Sequence, residues 1–393
     1  MAVTVGSNSE WSGIINPMNI TVDGIIYQAQ SHGGISHLYE EILPRMCEQD
    51  HGLHINLLTS GKCKKALPVH PQITHRALIP IDDILRPTRL WGSTRFGIRA
   101  YLQNSMRNNY RDQIWHSTYY TVPYKWKGPI VLTVYDMISE HFAVELFNKH
   151  IDEVYRKHKR HCIEKADIII CISETTKRDL EEFYRVNSSR IDVIHLAASP
   201  VFQQVDNPGN LPESIDSKPF LLFVGGRCHY KNFGLLLRVY SSWPKRSDIN
   251  LVVVGGDWTP QEREILKELN LTQQVSLLTD IDNDKLCFLY NRASAFVFPS
   301  LYEGFGIPLL EAMACGCPVV AAKIPSAVEV AEDCPIYFEP GDQNSLICAL
   351  DRAITEGRSS ERVALGLNRA SQFSWDITAH ETLNIYRELT TAP

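Results

Sequence analysis

Short β-rich runs separated by helical stretches recur along this chain in two successive sets, and that alternation constrains the fold more than any other feature. The first set occupies residues 24–29, 54–59, 113–117, 130–135, 167–172 and 191–196. The second restarts at 220–224 and continues through 250–254, 295–298 and 318–321. Parallel strands cannot be joined by tight turns, so strands that alternate with helices specify βαβ units and a parallel sheet. Two sets imply two such sheets. Between them, residues 200–219 carry Asp206-Asn207-Pro208-Gly209-Asn210 and little apolar periodicity, which marks a linker. At 393 residues the chain has the length of two ordinary domains. The expected architecture is α/β, with two Rossmann-like doubly wound domains at 1–205 and 206–375 facing across a cleft. A terminal helix follows over 376–393, because Ile377, Leu383, Ile385 and Tyr386 keep a helical spacing behind Ser374. Ligands of parallel sheets bind beyond the carboxyl ends of the strands, so the chemistry belongs in the post-strand loops.

Charge narrows the function classes. Residues 1–200 hold 23 Lys/Arg against 21 Asp/Glu, and residues 201–393 hold 16 against 24, so neither half has the strongly basic balance of a nucleic-acid binder. The ten cysteines are scattered, several within apolar runs, which reads as reduced thiols in a cytoplasmic protein. The first 18 residues lack the basic and apolar regions of a signal peptide, and no apolar run approaches the ~20 residues of a membrane span. Arg86, Arg89, Arg95, Arg99, Arg107 and Arg111 are interleaved with Leu90, Trp91, Phe96, Ile98, Tyr101 and Leu102, without an acidic residue between Arg86 and Arg111. That composition suits a segment on an anionic lipid surface at the inner face of the membrane, or a solvated helix packed on its own domain. The run Arg156-Lys157-His158-Lys159-Arg160-His161 reads as a solvated helix face.

Five loops carry the candidate chemistry. The run at 295–298 leads into Ser300-Leu301-Tyr302-Glu303-Gly304-Phe305-Gly306-Ile307-Pro308-Leu309-Leu310-Glu311, a strand, glycine-rich turn and helix start. Gly304 and Gly306 permit close backbone approach, and free N–H groups at a helix start cradle an anion. Glu303 stands in the turn, where sugar hydroxyls can donate to it, and Glu311 lies inside the helix, within reach of a ribose. After the run at 220–224, Gly225-Gly226-Arg227-Cys228-His229-Tyr230-Lys231 places a guanidinium and an ammonium four residues apart, a pair suited to a leaving diphosphate. In the first half, Ser31-His32-Gly33-Gly34 follows the run at 24–29 and precedes a helical stretch. His116 and Asp136 end two neighbouring runs. Asp280-Ile281-Asp282-Asn283-Asp284 precedes a helical run, and Asp282 or Asp284 is read as its cap rather than as a metal ligand. Cys315 and Cys317 lack a second pair at zinc spacing, so no metal is expected.

The Glu303-x7-Glu311 element, with Ala312-Met313-Ala314-Cys315-Gly316-Cys317-Pro318-Val319-Val320 behind it, resembles the signature of the family 4 retaining glycosyltransferases, which have the two-lobed GT-B architecture. The resemblance implies a metal-independent transfer of a hexose from a GDP- or UDP-linked sugar to a glycan or lipid-linked acceptor, without a cofactor. It implies Arg227 and Lys231 on the diphosphate, with Glu303, Gly304, Phe305, Gly306 and Ile307 at the sugar. Glu311 falls to the ribose, Leu310, Gly33, Gly34 and Gly226 to donor contacts, and the terminal helix returns to the first domain. Gly255-Gly256 and Glu329 resemble further family positions near the donor. Many members carry a histidine just before the aspartate matched by Asp136; this chain has Tyr135, which leaves His116 to stand in for it. Nucleotide-sugar epimerases and phosphorylases share the architecture and form the alternative reading, beside a protein that binds sugar nucleotides without catalysis.

Overall fold

The computed structural model describes residues 17–30, 33–60, 62–78, 113–123, 126–142, 149–205, 215 and 218–391. The first lobe runs β1 (Met18–Asp23), α1 (Ile25–Ala29), α2 (Gly34–Gln49), β2 (Leu53–Ser60), β3 (Ile73–Leu78), β4 (Gln113–Ser117), β5 (Ile130–Val134), α3 (Ile138–His141), α4 (Lys149–Lys165), β6 (Ile168–Cys171), α5 (Glu174–Tyr184) and β7 (Ile191–Val193). Its seven strands, ordered β3-β2-β1-β4-β5-β6-β7, all pair in parallel.

The second lobe runs β8 (Phe220–Val224), α6 (Phe233–Ser242), β9 (Asn250–Val254), α7 (Pro260–Glu268), β10 (Val275–Leu278), α8 (Asn283–Arg292), β11 (Ala295–Phe298), α9 (Ile307–Ala314), β12 (Val319–Ala322), α10 (Pro325–Ala331), β13 (Ile336–Phe338), α11 (Gln343–Glu356), α12 (Glu361–Ala370) and α13 (Trp375–Thr391). Its six parallel strands are ordered β10-β9-β8-β11-β12-β13. Strands β5, β11 and β12 are buried at every position, as a sheet covered by helices on both faces requires.

Each sheet reverses its strand order once, between β1 and β4 in one lobe and between β8 and β11 in the other. Such switch points splay neighbouring loops apart and open a crevice. The loops after these four strands are those that carry most of the candidate chemistry. The last helix, α13, opens with the Ser374 hydroxyl accepting the Ile377 N–H and then packs on α2 of the first lobe. Arg45 pairs there with Asp376 at 3.3 Å and Arg387 with Asp50 at 2.9 Å.

One expected strand is misplaced. Residues 24–29 are not a strand: β1 ends at Asp23, and Ile25–Ala29 form a short helix whose first four residues are buried. A run of five residues, four of them apolar, is too short for periodicity to tell a buried strand from a buried helix. The sequence reading also passed over β3, β10 and β13, each of which lies at an edge of its sheet. An edge strand has a neighbour on one flank only, so its apolar pattern is weak; in β3, Thr74, His75 and Ala77 are exposed. The arginine-rich segment from Arg86 to Arg111 lies outside the described residues.

Candidate functional site

Gly304 fixes the centre of the site. A β-carbon built there would stand 1.8 Å from the Tyr135 carbonyl oxygen and 3.1 Å from the Asp136 β-carbon, so only glycine lets the loop after β11 reach the loop after β5. The Gly304 carbonyl accepts hydrogen bonds from Ser173 and, at 3.2 Å, from Thr176, both on the first lobe. Tyr302 crosses beside it, its hydroxyl donating to Asp179 at 2.6 Å and accepting from the Met137 N–H at 3.1 Å. The two lobes are therefore closed on one another here.

Lys231, from the loop after β8, places its Nζ 2.6 Å from Glu303 Oε1. Glu303 is 9% exposed, so this pair sits in a poorly solvated position. Arg227 takes a different partner. Its guanidinium lies 4.6 Å over the Trp258 ring, donates Nε to Glu262 at 2.6 Å, and donates Nη2 to the carbonyls of Gly256 and Asp257 at 2.8 and 2.7 Å. Glu262 is held in turn by the capping box that starts α7, in which Thr259 and Glu262 satisfy each other's backbone N–H groups. Only Nη1 of Arg227 is buried without a partner. Sequence reasoning missed Glu262, although Thr259-Pro260-Gln261-Glu262 is a legible capping-box signal.

Helix α9 begins directly after this turn. Gly306 is its N-cap at φ +121°, a value glycine tolerates, and no side chain caps the helix, so its first N–H groups lack side-chain acceptors. Gly34 of the first lobe approaches the Ile307 side chain, which lies 3.5 Å from where a Gly34 β-carbon would stand. Gly33, in extended backbone, is the N-cap of α2. Glu311 is one turn further along α9, accepting from the Tyr290 hydroxyl at 3.0 Å. Burial pushes its carboxyl up to about 7, against the pull of the Tyr290 hydrogen bond and of the His37 charge from the first lobe. Gly226 stands exposed in the loop that carries Arg227 and Lys231.

Three expected site residues have buried side chains. Leu310 is fully buried, so its side chain serves the core of the second lobe. Phe305 is 2% exposed and packs against His195 and Phe373, supporting the glycine turn from behind. His116 is 1% exposed and does not reach the cleft. Its Nε2 is 2.8 Å from the Thr133 hydroxyl, and its Nδ1 bonds the Tyr386 hydroxyl of α13. Burial lowers its pKa to about 3, leaving a neutral ring that anchors the returning helix. Tyr135 points the same way, its hydroxyl donating to the Thr118 carbonyl at 2.7 Å and meeting Tyr39 at 3.0 Å. Neither ring supplies the cleft-side histidine that the resemblance led one to look for.

Asp136 lies on the first-lobe side of the Gly304 contact. It sits beside Gly304, and burial raises its pKa, against Lys159 and the Ile138 N–H, which lower it; the charges of Glu140 and Glu303 raise it further. Glu329 instead ties the lobes together, accepting from the N–H groups of Glu174 and Thr175 at 2.7 and 3.0 Å and pairing with His195 at 3.0 Å. Asp282 caps α8 by accepting the Lys285 N–H, as its position ahead of a helical run implied. Gly255 ends β9 with its N–H bonded to the Leu278 carbonyl, and its own packing is against Gly225 and Arg227. An open concavity lined by Lys218, Ile249, Arg292 and Arg358 lies at the opposite, amino-terminal edge of the second sheet, away from these loops.

Known proteins resemble this chain in sequence and in fold. The family model described as Glycosyltransferase Family 4 matches residues 32–199, and the one described as Glycosyl transferases group 1 matches residues 212–368. The O-antigen chain mannosyltransferase B of Escherichia coli is 26% identical over 72% of this chain and 76% of its own length. The O-antigen chain mannosyltransferase RfbU of Salmonella typhimurium is 28% identical over 58% of this chain, a match that spans 61% of RfbU, less than two thirds. The sucrose-phosphate synthase structure from Thermosynechococcus elongatus superposes with a TM-score of 0.77 at 21% identity, covering 96% of this chain and 100% of that one.

Proposed function

Because this chain belongs to the family 4 glycosyltransferases, we propose that it is a retaining, metal-independent hexosyltransferase that carries mannose from a GDP-linked donor, or another hexose from a UDP-linked one, to a glycan or lipid-linked acceptor. The observation that carries this reading is the Lys231 and Glu303 pair, 2.6 Å apart, set beside the uncapped start of α9 where the two lobes meet. An incoming diphosphate competes with Glu303 for the Lys231 ammonium and takes the Ile307 N–H at the start of α9. Glu303, released from Lys231, then accepts from hydroxyls of the transferred sugar. Nη1 of Arg227 adds a second cation, held in place by Glu262. Glu311 accepts from the ribose, and protonation near neutrality makes that bond sensitive to pH.

As the glycosidic bond breaks, negative charge grows on the leaving diphosphate, and fixed cations and N–H groups stabilise it without reorganising. The acceptor hydroxyl attacks on the leaving-group face with its proton passing to the diphosphate, and Asp136 orients the sugar from the first lobe. The names of the mannosyltransferase relatives support mannose. The test begins with thermal shift against GDP- and UDP-linked sugars, since a ligand at ~100 times its dissociation constant adds about 2.7 kcal/mol. Transfer of labelled sugar to a mannan-type acceptor follows, with product anomer read by NMR. Absence of binding and transfer with every donor overturns the reading. Donor epimerised without acceptor, or cleaved only by phosphate, replaces it with one of the alternatives.

A further inference from the structure

A buried ammonium lies behind Asp136, and the transfer chemistry proposed above makes no use of it. Lys159 is 1% exposed in the middle of α4, although its neighbours Lys157, Arg160 and His161 are exposed, so the basic run there is a solvated face with one residue turned inward. A buried lysine costs several kcal/mol unless it is paired and hydrogen-bonded. Here Nζ donates to the Asp136 carbonyl at 3.0 Å and to Glu140 Oε2 at 3.0 Å, and stands 3.3 Å from Met137 Sδ and 5.3 Å from the centre of the Tyr120 ring. Its carboxylate partner is equally withdrawn, at 4% side-chain exposure, and also accepts from the Ser139 and Tyr184 hydroxyls. Three of these contacts fall on one short stretch, Asp136 to Glu140, which carries the first-lobe group of the cleft.

We propose that Lys159 is a positioning residue for glycosyl transfer: with Glu140 it clamps the turn that carries Asp136 and sets the charge beneath the first-lobe wall of the cleft. A core lysine needed only for packing would not aim its charge at the backbone of a residue in contact range of Gly304. The proposal rests on the reading of Asp136 as a cleft group.

The other charges around Asp136 do not substitute for this cation. Glu140 and Glu303 are acidic, and Lys231 is paired with Glu303. The phenols of Tyr119, Tyr120, Tyr155, Tyr230 and Tyr302 feel the Asp136 charge and are held above their usual pKa mainly by burial, so they stay neutral. His158 of α4 is lowered by burial and bonds the Tyr120 carbonyl, and His141 of α3 pairs with Asp179. Loss of Lys159 therefore removes the main charge that favours the Asp136 carboxylate, and protonation occurs at higher pH.

The test measures kcat and KM against pH for the parent, Lys159→Arg, the doubly neutral Glu140→Gln/Lys159→Met, and Asp136→Asn. The double variant avoids a buried unpaired carboxylate and leaves the Tyr184 hydroxyl an amide oxygen to donate to. Its expected result is a folded protein with kcat lowered about tenfold, donor KM unchanged, and the acid limb of kcat/KM moved up by a fraction of a pH unit, because losing the Lys159 cation outweighs losing the weaker opposing charge of Glu140. Lys159→Arg keeps the charge and leaves the acid limb where the parent has it. A folded double variant whose profile superimposes on the parent's, with Asp136→Asn inactive, overturns the proposal while sparing the reading of Asp136. Asp136→Asn with parental transfer overturns both. Should the double variant not fold, an acid limb displaced in Lys159→Arg overturns the proposal.

Discussion

The second-lobe wall of the cleft presents charged side chains in pairs, Lys231 with Glu303 and Arg227 with Glu262. The first-lobe wall presents glycines, the Tyr135 and Asp136 backbone and one carboxylate, and its larger polar side chains turn inward, where His116, Tyr39 and Tyr135 share hydrogen bonds with Thr133 and Tyr386. Charges on one wall can exchange partners when a ligand arrives, whereas the other wall is held in a fixed shape from behind. The comparison teaches that similar polar residues at strand ends pair with one another at the cleft in one lobe and, apart from Asp136, bond into the core in the other, according to which way the chain turns them.

Lys231→Ala and Glu303→Ala give the sharpest separation. Each is expected to lower transfer per folded molecule at least ~100-fold, about 2.7 kcal/mol of transition-state stabilisation, and the partner left unpaired in a poorly solvated position lowers the urea unfolding midpoint as well. Near-parental transfer from a folded variant would remove the second-lobe wall from the chemistry. Gly304→Ala should follow with a loss of roughly tenfold or more, because its new β-carbon meets the Tyr135 carbonyl and holds the lobes apart. Small-angle scattering should show a more open molecule, and unchanged dimensions with normal turnover would mean that closure at this point is irrelevant.

On the other wall the effect should fall on stability. His116→Ala removes a buried ring and its hydrogen bonds, for about 2–4 kcal/mol, with turnover per folded molecule within threefold of the parent. The pH sign is fixed: the folded ring titrates at about 3 and the unfolded one near 6.5, so the unfolded state binds the extra proton. The stability contribution is full above ~6.5 and drains away as pH falls toward 3. A parent whose urea midpoint is flat over that window once the carboxylates are accounted for would show that the ring is not buried neutral.

The smallest effect is expected at Glu311, where the two walls come near each other through His37. Its raised pKa has the opposite consequence, since the folded state holds a proton between ~4.5 and about 7 that the unfolded state has lost, and stability drains away as pH rises through that range. Glu311→Gln should therefore flatten this part of the stability profile while weakening donor binding, read by calorimetry. Unchanged donor affinity would take Glu311 out of the nucleotide site.

Much of this was legible beforehand in the second lobe, because its signals are local. Strand β11, the glycine turn and α9 lie within twenty residues, and the restriction on Gly306 acts within that stretch, against Leu309 and Phe298, whereas that on Gly304 comes from Tyr135 of the other lobe. In the first lobe the informative contacts join distant segments: His116 meets Tyr386 across 270 positions, and Lys159 meets the Asp136 carbonyl across 23. No periodicity within α4 distinguished Lys159 from its exposed neighbours, and a short apolar run was taken for β1 when it forms α1.

The order of apolar runs, glycines and helix starts was enough to determine two parallel sheets and a phosphate-friendly turn, since these depend on backbone sterics and on burial patterns a few residues long. Which of the polar residues at the strand ends face the cleft was settled only when the sheets closed on one another and α13 returned to the first lobe. That choice depends on desolvation and on partners remote in the chain, and neither is written in any one segment.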